Sequence, residues 1–211
     1  MDTTKANGPA QLNRWPMIVG VAGGSAGGKT TLAQAMADEA GSATATILEL
    51  DRFYHPKALS PQERITNFDE PRAIDFELLS SVMGQLNQRG QATVPVYDFS
   101  SHDRVGQEPF KATRLIVVEG ILALWDDEIR SAFNYRIYVD APDALRLERR
   151  ITRDVAQRGR QEEDVRAQWL QTVLPMHRQY VEPTRSHADQ VVDGRSDLHQ
   201  VARTLLHEFG L

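Results

Sequence analysis

The chain has 211 residues, with 24 Lys and Arg against 29 Asp and Glu, a formal charge of −5 and no cysteine. The length suits one domain with a core of its own; the lack of cysteine excludes disulfides, thiolate metal sites and cysteine nucleophiles; and the acidic balance gives no basis for general affinity for nucleic acid or a membrane surface. No apolar run approaches the roughly 18 residues that span a bilayer, and Met1 to Trp15, polar and lacking the apolar centre of a signal peptide, reads as the flexible tail of a cytoplasmic protein.

Ile18 to Leu32 reads I-V-G-V-A-G-G-S-A-G-G-K-T-T-L. A β-branched apolar run stops at Gly23, a glycine-rich turn follows, and a helix opens at Lys29 and runs to about Ala40. The pattern G-x-x-x-x-G-K-[ST] is filled by Gly23, Gly28, Lys29 and Thr30. Backbone N–H groups through Gly23, Gly24, Ser25, Ala26, Gly27 and Gly28, and the helix start at Lys29, Thr30 and Thr31, can point at the phosphates of ATP or GTP. In such a loop the lysine reaches the β- and γ-phosphates and the Thr30 hydroxyl binds Mg²⁺. Ala45 to Leu50 is a second short strand that ends in Asp51, and Arg52 to Phe68, with Pro56 and Pro61, reads as loop with about one helical turn.

Phe76, Leu79, Val82, Met83 and Leu86 have helical spacing, in a segment that opens at Asp75 and closes at Gly90. Thr93–Tyr97 and Pro109–Thr113 flank a polar turn containing Gly106; Pro95 suits an edge strand, so the pair reads as a small antiparallel flap over about residues 92–113. Leu115 to Val118 is a strand ending in Glu119, and Tyr135 to Asp140 is another, with Pro142 well placed as the first residue of a helix to about Gln157. A helix over Glu162–Val173, a strand over Ala188–Val192 and a helix to about Glu208 complete the chain. The alternation predicts an α/β fold of the phosphate-loop NTPase type over residues 16–211, a parallel sheet sandwiched by helices.

A Mg²⁺–triphosphate complex calls for oxygen ligands, and Glu119 and Asp51 are carboxylates at strand ends; either could instead cap a strand or helix. Arg146, Arg149, Arg150 and Arg153 share one helical face, and Arg158-Gly159-Arg160 leads out of it. Such a run is often a solvated face, with Glu148 and Asp154 as partners. Crowded onto an acidic chain, it also reads as an arginine-rich lid over about residues 146–165, able to bring guanidinium groups over a transferring phosphoryl group and to exclude water. Asp103-Arg-Val-Gly106 matches the D-x-x-G of GTPases, but no buried strand precedes it and no N-K-x-D accompanies it.

From about Met17 to Gly194 the chain resembles the uridine (uridine–cytidine) kinase family of phosphate-loop kinases. The resemblance is carried by G-V-A-G-G-S-A-G-G-K-T-T at Gly20–Thr31, L-D-R-F-Y at Leu50–Tyr54, N-F-D-E-P at Asn67–Pro71, P-V-Y-D-F-S-S-H at Pro95–His102, V-E-G-I-L at Val118–Leu122, R-R-I-T-R-D-V-A-Q-R-G-R at Arg149–Arg160 and P-M-H-R-Q-Y-V-E-P at Pro175–Pro183. It implies ATP-dependent phosphorylation of uridine and cytidine at the 5′-hydroxyl. Asp51 would accept the proton; Thr30 and Glu119, with Asp51 beside them, would hold Mg²⁺; and Lys29, Arg153 and Arg158 would act at the phosphates. Asp69 would grip the ribose with Arg150 and Gln168 assisting, Tyr54, Phe68 and Phe99 would lie against the nucleoside, and Tyr97, His102 and Arg160 would read the base edge. Small-molecule partners and a homotetramer are further implications of the resemblance. Arg52, Glu70 and Arg72 depart from the usual pattern of their motifs. Other readings of the same residues are a kinase of this architecture acting on nicotinamide riboside, pantothenate or a sugar phosphate, and a nucleotide-binding regulator without turnover.

Overall fold

The computed structural model describes residues 15–56 and 67–211; the tail expected over Met1–Trp15, apart from Trp15, and the loop around Pro61 lie outside them. In chain order the elements are β1 (Met17–Gly23), α1 (Lys29–Ala40), β2 (Ala45–Glu49), α2 (Phe76–Arg89), β3 (Gln91–Asp98), β4 (Asp103–Lys111), β5 (Leu115–Glu119), α3 (Asp127–Ala132), β6 (Tyr135–Asp140), α4 (Asp143–Arg158), α5 (Glu162–Gln168), the single turn α6 (Leu174–Met176), β7 (Gln190–Asp193) and α7 (Leu198–Glu208). Five strands form a parallel sheet in the order β2-β5-β1-β6-β7, and β3 and β4 form a separate antiparallel pair.

β1 and β5 are buried along their whole length, as strands of a sheet covered on both faces must be. Their side chains alternate between two apolar layers. Met17, Val19, Val21, Leu115 and Val117 pack with Leu32 and Met36 of α1 and Leu205 of α7. Ile18, Ala22, Ile116 and Val118 pack with Leu79, Met83 and Leu86 of α2, Ile129 of α3, and Val94 and Phe110 of the hairpin. The hairpin is therefore part of the second covering layer, anchored by its base. α2 begins and ends as its sequence indicates: the Asp75 carboxylate accepts from the Leu78 N–H at 3.0 Å, and Gly90 closes the helix at φ 68°.

Four local expectations are corrected. The hairpin turn lies at residues 99–102, because the Asp98 carboxylate accepts from the backbone N–H groups of Ser100 and Ser101 and from both hydroxyls, tying the chain back on itself. Gly106, expected in that turn, sits within β4, where the register slips between Val96 and Tyr97. Asp51 is past the strand rather than on its end, in a 3₁₀ turn over Leu50–Phe53. The helix expected to stop at Val173 continues through Pro175 to Val181 by widening into π-turns on either side of it, over Trp169–Val173 and His177–Val181. A proline removes one N–H from the ladder, and wider turns are one way a helix absorbs that loss. α3, capped by Asp126, is too short at six residues to show a period.

Among the described residues no helix is long and apolar enough to cross a membrane. Gly120, directly after β5, permits the close approach of the turn that carries Asp51: a Cβ there would lie 2.4 Å from Leu50 Cβ. Gly120→Ala is expected to cost about 1–3 kcal/mol through overpacking, lowering Tm by roughly 2–4 °C for each kcal/mol in a chain of this size. A melting curve superimposable on that of the wild type would show that Leu50 yields without cost.

Candidate active site

The parallel strands all present their carboxyl ends at one edge, where open α/β sheets hold ligands. β1 delivers the phosphate loop there. The loop is pressed between the sheet and α4, which explains its glycines: Gly23 has φ 140°, and a Cβ on Gly24 would lie 2.1 Å from Arg146 Nη1. Ala26 also takes a positive φ, of 60°. The buried Lys29 ammonium donates to the Gly24 carbonyl at 3.1 Å, folding back over the loop. Burial lowers its pKa, and the carboxylates of Glu119 and Asp51 oppose that shift.

Glu119 also faces a second acid through the register of β2 and β5, in which Glu49 stands directly opposite it. Like charges so placed repel. Three groups offset them: Lys29, the Thr30 hydroxyl, which donates to Glu119 at 3.0 Å, and Arg52, which donates to Glu49 at 2.6 Å. Burial raises the pKa of Glu119, with Lys29 pulling the other way. A desolvated carboxylate beside a hydroxyl is a hard-oxygen donor set of the kind Mg²⁺ takes up together with phosphate oxygens and water, so Thr30 and Glu119 fit that ion.

Asp51 is half-buried on its 3₁₀ turn. Burial pushes its carboxyl above the ordinary carboxylate range, while Lys29 and a hydrogen bond from Tyr54 pull it down. The Tyr54 hydroxyl also lies 3.2 Å from the Phe68 carbonyl, bridging the turn to the segment that carries Asp69. Asp69 too is raised by burial and lowered by Arg150 and Lys29. Arg104 of β4 clamps the turn from outside, donating to the carbonyls of Tyr54 (2.9 Å) and Phe53 (3.2 Å) and to the Asp75 carboxylate (3.0 Å). Arg52, the departure noted in its motif, bridges from Glu49 to Glu108 of the hairpin.

The five aromatic residues singled out in the sequence form one cluster. Phe68 stacks on His102 with ring centroids 4.9 Å apart and meets Tyr54 edge-on at 5.2 Å; Tyr97 contacts Tyr54 at 5.4 Å and Phe99 at 5.3 Å. Phe99 is 57% exposed, and the Tyr97 hydroxyl is buried with no hydrogen-bond partner among the described residues.

α4 lays its arginines on the phosphate loop. Arg146 is buried over the Trp169 ring at 5.1 Å, Arg149 donates to the Gly194 carbonyl at 3.0 Å, and Arg150 donates to Ser25 Oγ at 2.8 Å and to Gln168 Oε1 at 3.1 Å. Arg160 also reaches Gln168, at 2.7 Å. Arg153, Arg158 and Arg160 converge with Arg150 on one wholly buried carboxylate, Asp154.

A cavity of about 970 Å³ opens between these groups, lined among others by Ser25, Ala26, Gly28, Lys29, Thr30, Thr31, Asp51, Tyr97, Phe99, Glu119, Arg153 and Arg158. Of the residues singled out in the sequence, Tyr54, Phe68, Asp69, His102, Arg150, Arg160 and Gln168 are not on its wall; they join it through the contacts just given, as do Gly23, Gly24 and Gly27 through the loop. Glu49, Arg52, Glu108, Arg149, Gly194 and His199 line it and were not among the expected site residues. Arg149 belongs to the arginine face noted in the sequence; the signal of the others is faint, since Glu49 reaches the cavity by a strand register, Arg52 by the turn after β2, Glu108 by the hairpin, and Gly194 and His199 by the return of the chain. Asp154 had one: with Glu148 it is one of two acids within a run of six arginines.

Comparisons with known proteins identify the family and the fold. The family model "Phosphoribulokinase / Uridine kinase family" matches residues 18–199. The chain is 41% identical over 196 residues to a uridine kinase of Halobacterium salinarum, covering 90% of this chain and 84% of that one. It is 39% identical over 180 residues to a uridine kinase of Brevibacillus brevis, covering 84% of each. Among solved structures, the phosphoribulokinase of Rhodobacter spheroides shares the fold at a TM-score of 0.60, with 17% identity over 82% of this chain and 67% of that one. The chain thus belongs to the phosphoribulokinase/uridine kinase family.

Proposed function

We propose that the protein transfers the γ-phosphoryl group of ATP to the 5′-hydroxyl of uridine and cytidine. The observation that carries this reading is the shared cavity: Lys29 and Thr30 of the phosphate loop, Asp51, and Tyr97 and Phe99 of the aromatic cluster all line it, and the Asp51 carboxylate is close enough to Lys29 to act on its charge. The two relatives named above bear the name uridine kinase.

The loop N–H groups and Lys29 bind the donor phosphates and release the Lys29–Gly24 contact in doing so. Mg²⁺ held by Thr30 and Glu119 would neutralise charge on the β- and γ-phosphates when bound. Asp51, shifted toward neutrality by burial, accepts the proton of the 5′-hydroxyl; a base so tuned is worth roughly 10² to 10⁴ in rate. Asp69 accepts from the ribose hydroxyls, with Arg150 and Gln168 holding it in place. Arg153 and Arg158, on the cavity wall, reach the equatorial oxygens of the transferring group, and closure of the lid over them keeps water from competing with the alcohol. The base lies against Phe68 and Phe99, its polar edge satisfying the unpaired Tyr97 hydroxyl, with His102 and Arg160 beside it.

Two outcomes follow. Asp51→Asn is expected to keep ATP affinity within a few-fold, by calorimetry, while kcat falls about 10²–10⁴-fold; near-normal turnover in a coupled ADP assay would remove Asp51 from the role of base. Across a panel of uridine, cytidine, adenosine, nicotinamide riboside and pantothenate, ADP release is expected with the two pyrimidine nucleosides only. His102→Ala should relax selection among bases while sparing ATP affinity, because a site that pairs with a base edge discriminates by up to roughly 10⁴-fold. An unchanged substrate profile in that variant would argue for recognition elsewhere, and ADP release with pantothenate or nicotinamide riboside alone would replace the acceptor.

A further inference from the structure

The carboxylate of Asp154 is wholly buried in the last turns of α4. Four guanidinium groups surround it: Arg153 at 2.8 Å, Arg158 and Arg160 at 3.5 Å each, and Arg150 at 3.6 Å. Two of them, Arg153 and Arg158, line the large cavity, and the other two meet at Gln168. One negative charge thus sits at the centre of four positive ones. Burial lowers the pKa of Arg150, Asp69 and Asp154 oppose that shift, and the neighbouring Arg153 and Arg160 add to it. A buried carboxylate is retained only where its partners compensate its lost hydration, and here the compensation is shared so that none of the four arginines is neutralised one-to-one.

We infer that Asp154 is a positioning residue: it gathers Arg150, Arg153, Arg158 and Arg160 at fixed positions before substrate arrives and leaves an excess of positive charge facing the cavity. Arg158 is 55% exposed on its free side and is followed by Gly159, at φ 62°, where the helix ends. Without the central carboxylate, four like charges would spread toward solvent, and the two on the cavity wall would lose their register with the phosphates. Asp154 itself is not on the cavity wall, so it acts through the arginines. The inference rests on the reading of Arg153 and Arg158 as phosphoryl contacts.

The experiment is a mutant cycle on the full chain with uridine and ATP. Asp154→Asn, close in shape but neutral, is expected to lower kcat about 10²-fold, the scale of an ångström-level misplacement. The paired variant Arg153→Ala/Arg158→Ala should lose at least as much, and adding Asp154→Asn to it should cost little more, within about threefold, because the groups it positions are gone. Asp154→Glu is run in parallel as a milder change that keeps the charge and displaces it by one methylene; it should show the same non-additivity at smaller amplitude, including in the event that the asparagine variant fails to fold. Melting curves and ATP affinity are read for each protein. A folded Asp154→Asn with wild-type kcat, or a loss that multiplies in full onto the paired arginine variant, would overturn the inference while leaving the arginines' role intact. Wild-type kcat in the paired arginine variant would instead overturn the reading of those arginines, and the inference with it.

Discussion

A site that binds triphosphate must concentrate positive charge, and positive charge concentrated inside a protein repels itself. The molecule answers this with carboxylates placed behind the cations. Lys29 is buried against Glu119 and Asp51, Arg52 lies between Glu49 and Glu108, and four arginines share Asp154. Lys29 and Arg52 each face two acids, whereas Asp154 holds four arginines without neutralising them, and two of those four line the cavity of a chain whose net charge is −5. Local charge, not the overall balance, decides what this surface binds.

The same arrangement couples elements far apart in sequence. Arg150 joins α4 to Ser25 of the loop and to Gln168 of α5. Arg104 joins the hairpin to the turn that bears Asp51 and, through Asp75, to the start of α2. Charged hydrogen bonds of this kind, partly withdrawn from water, are among the stronger polar contacts a fold makes. They hold the donor side and the acceptor side of the cavity to a common frame, which suits a reaction whose rate depends mostly on alignment.

Arg52 illustrates how a departure from a family pattern acquires meaning only in three dimensions. In the sequence it is a basic residue after an aspartate. In the structure it offsets a pair of acids brought opposite one another by the β2–β5 register, and it ties that edge to the hairpin over the cavity. The hairpin in turn has a firm base, with Val94 and Phe110 in the core, and an exposed tip at Phe99.

By itself the sequence determined whatever is encoded within a turn or two of chain. The strand, glycine turn and helix of residues 17–40 were legible because sterics and backbone donors act locally. The Asp75 and Gly90 boundaries of α2 and the alternation that makes the sheet parallel were legible for the same reason. The tertiary structure alone decided what depends on pairing and on buried charge. It moved Asp51 from a strand end to a 3₁₀ turn whose Leu50 lies close against Gly120; it shifted the hairpin turn to the residues bound by Asp98; and it carried a helix through Pro175. It also showed that four arginines of the run enclose one hidden carboxylate, since whether a charge is exposed or enclosed depends on which other elements fold over it.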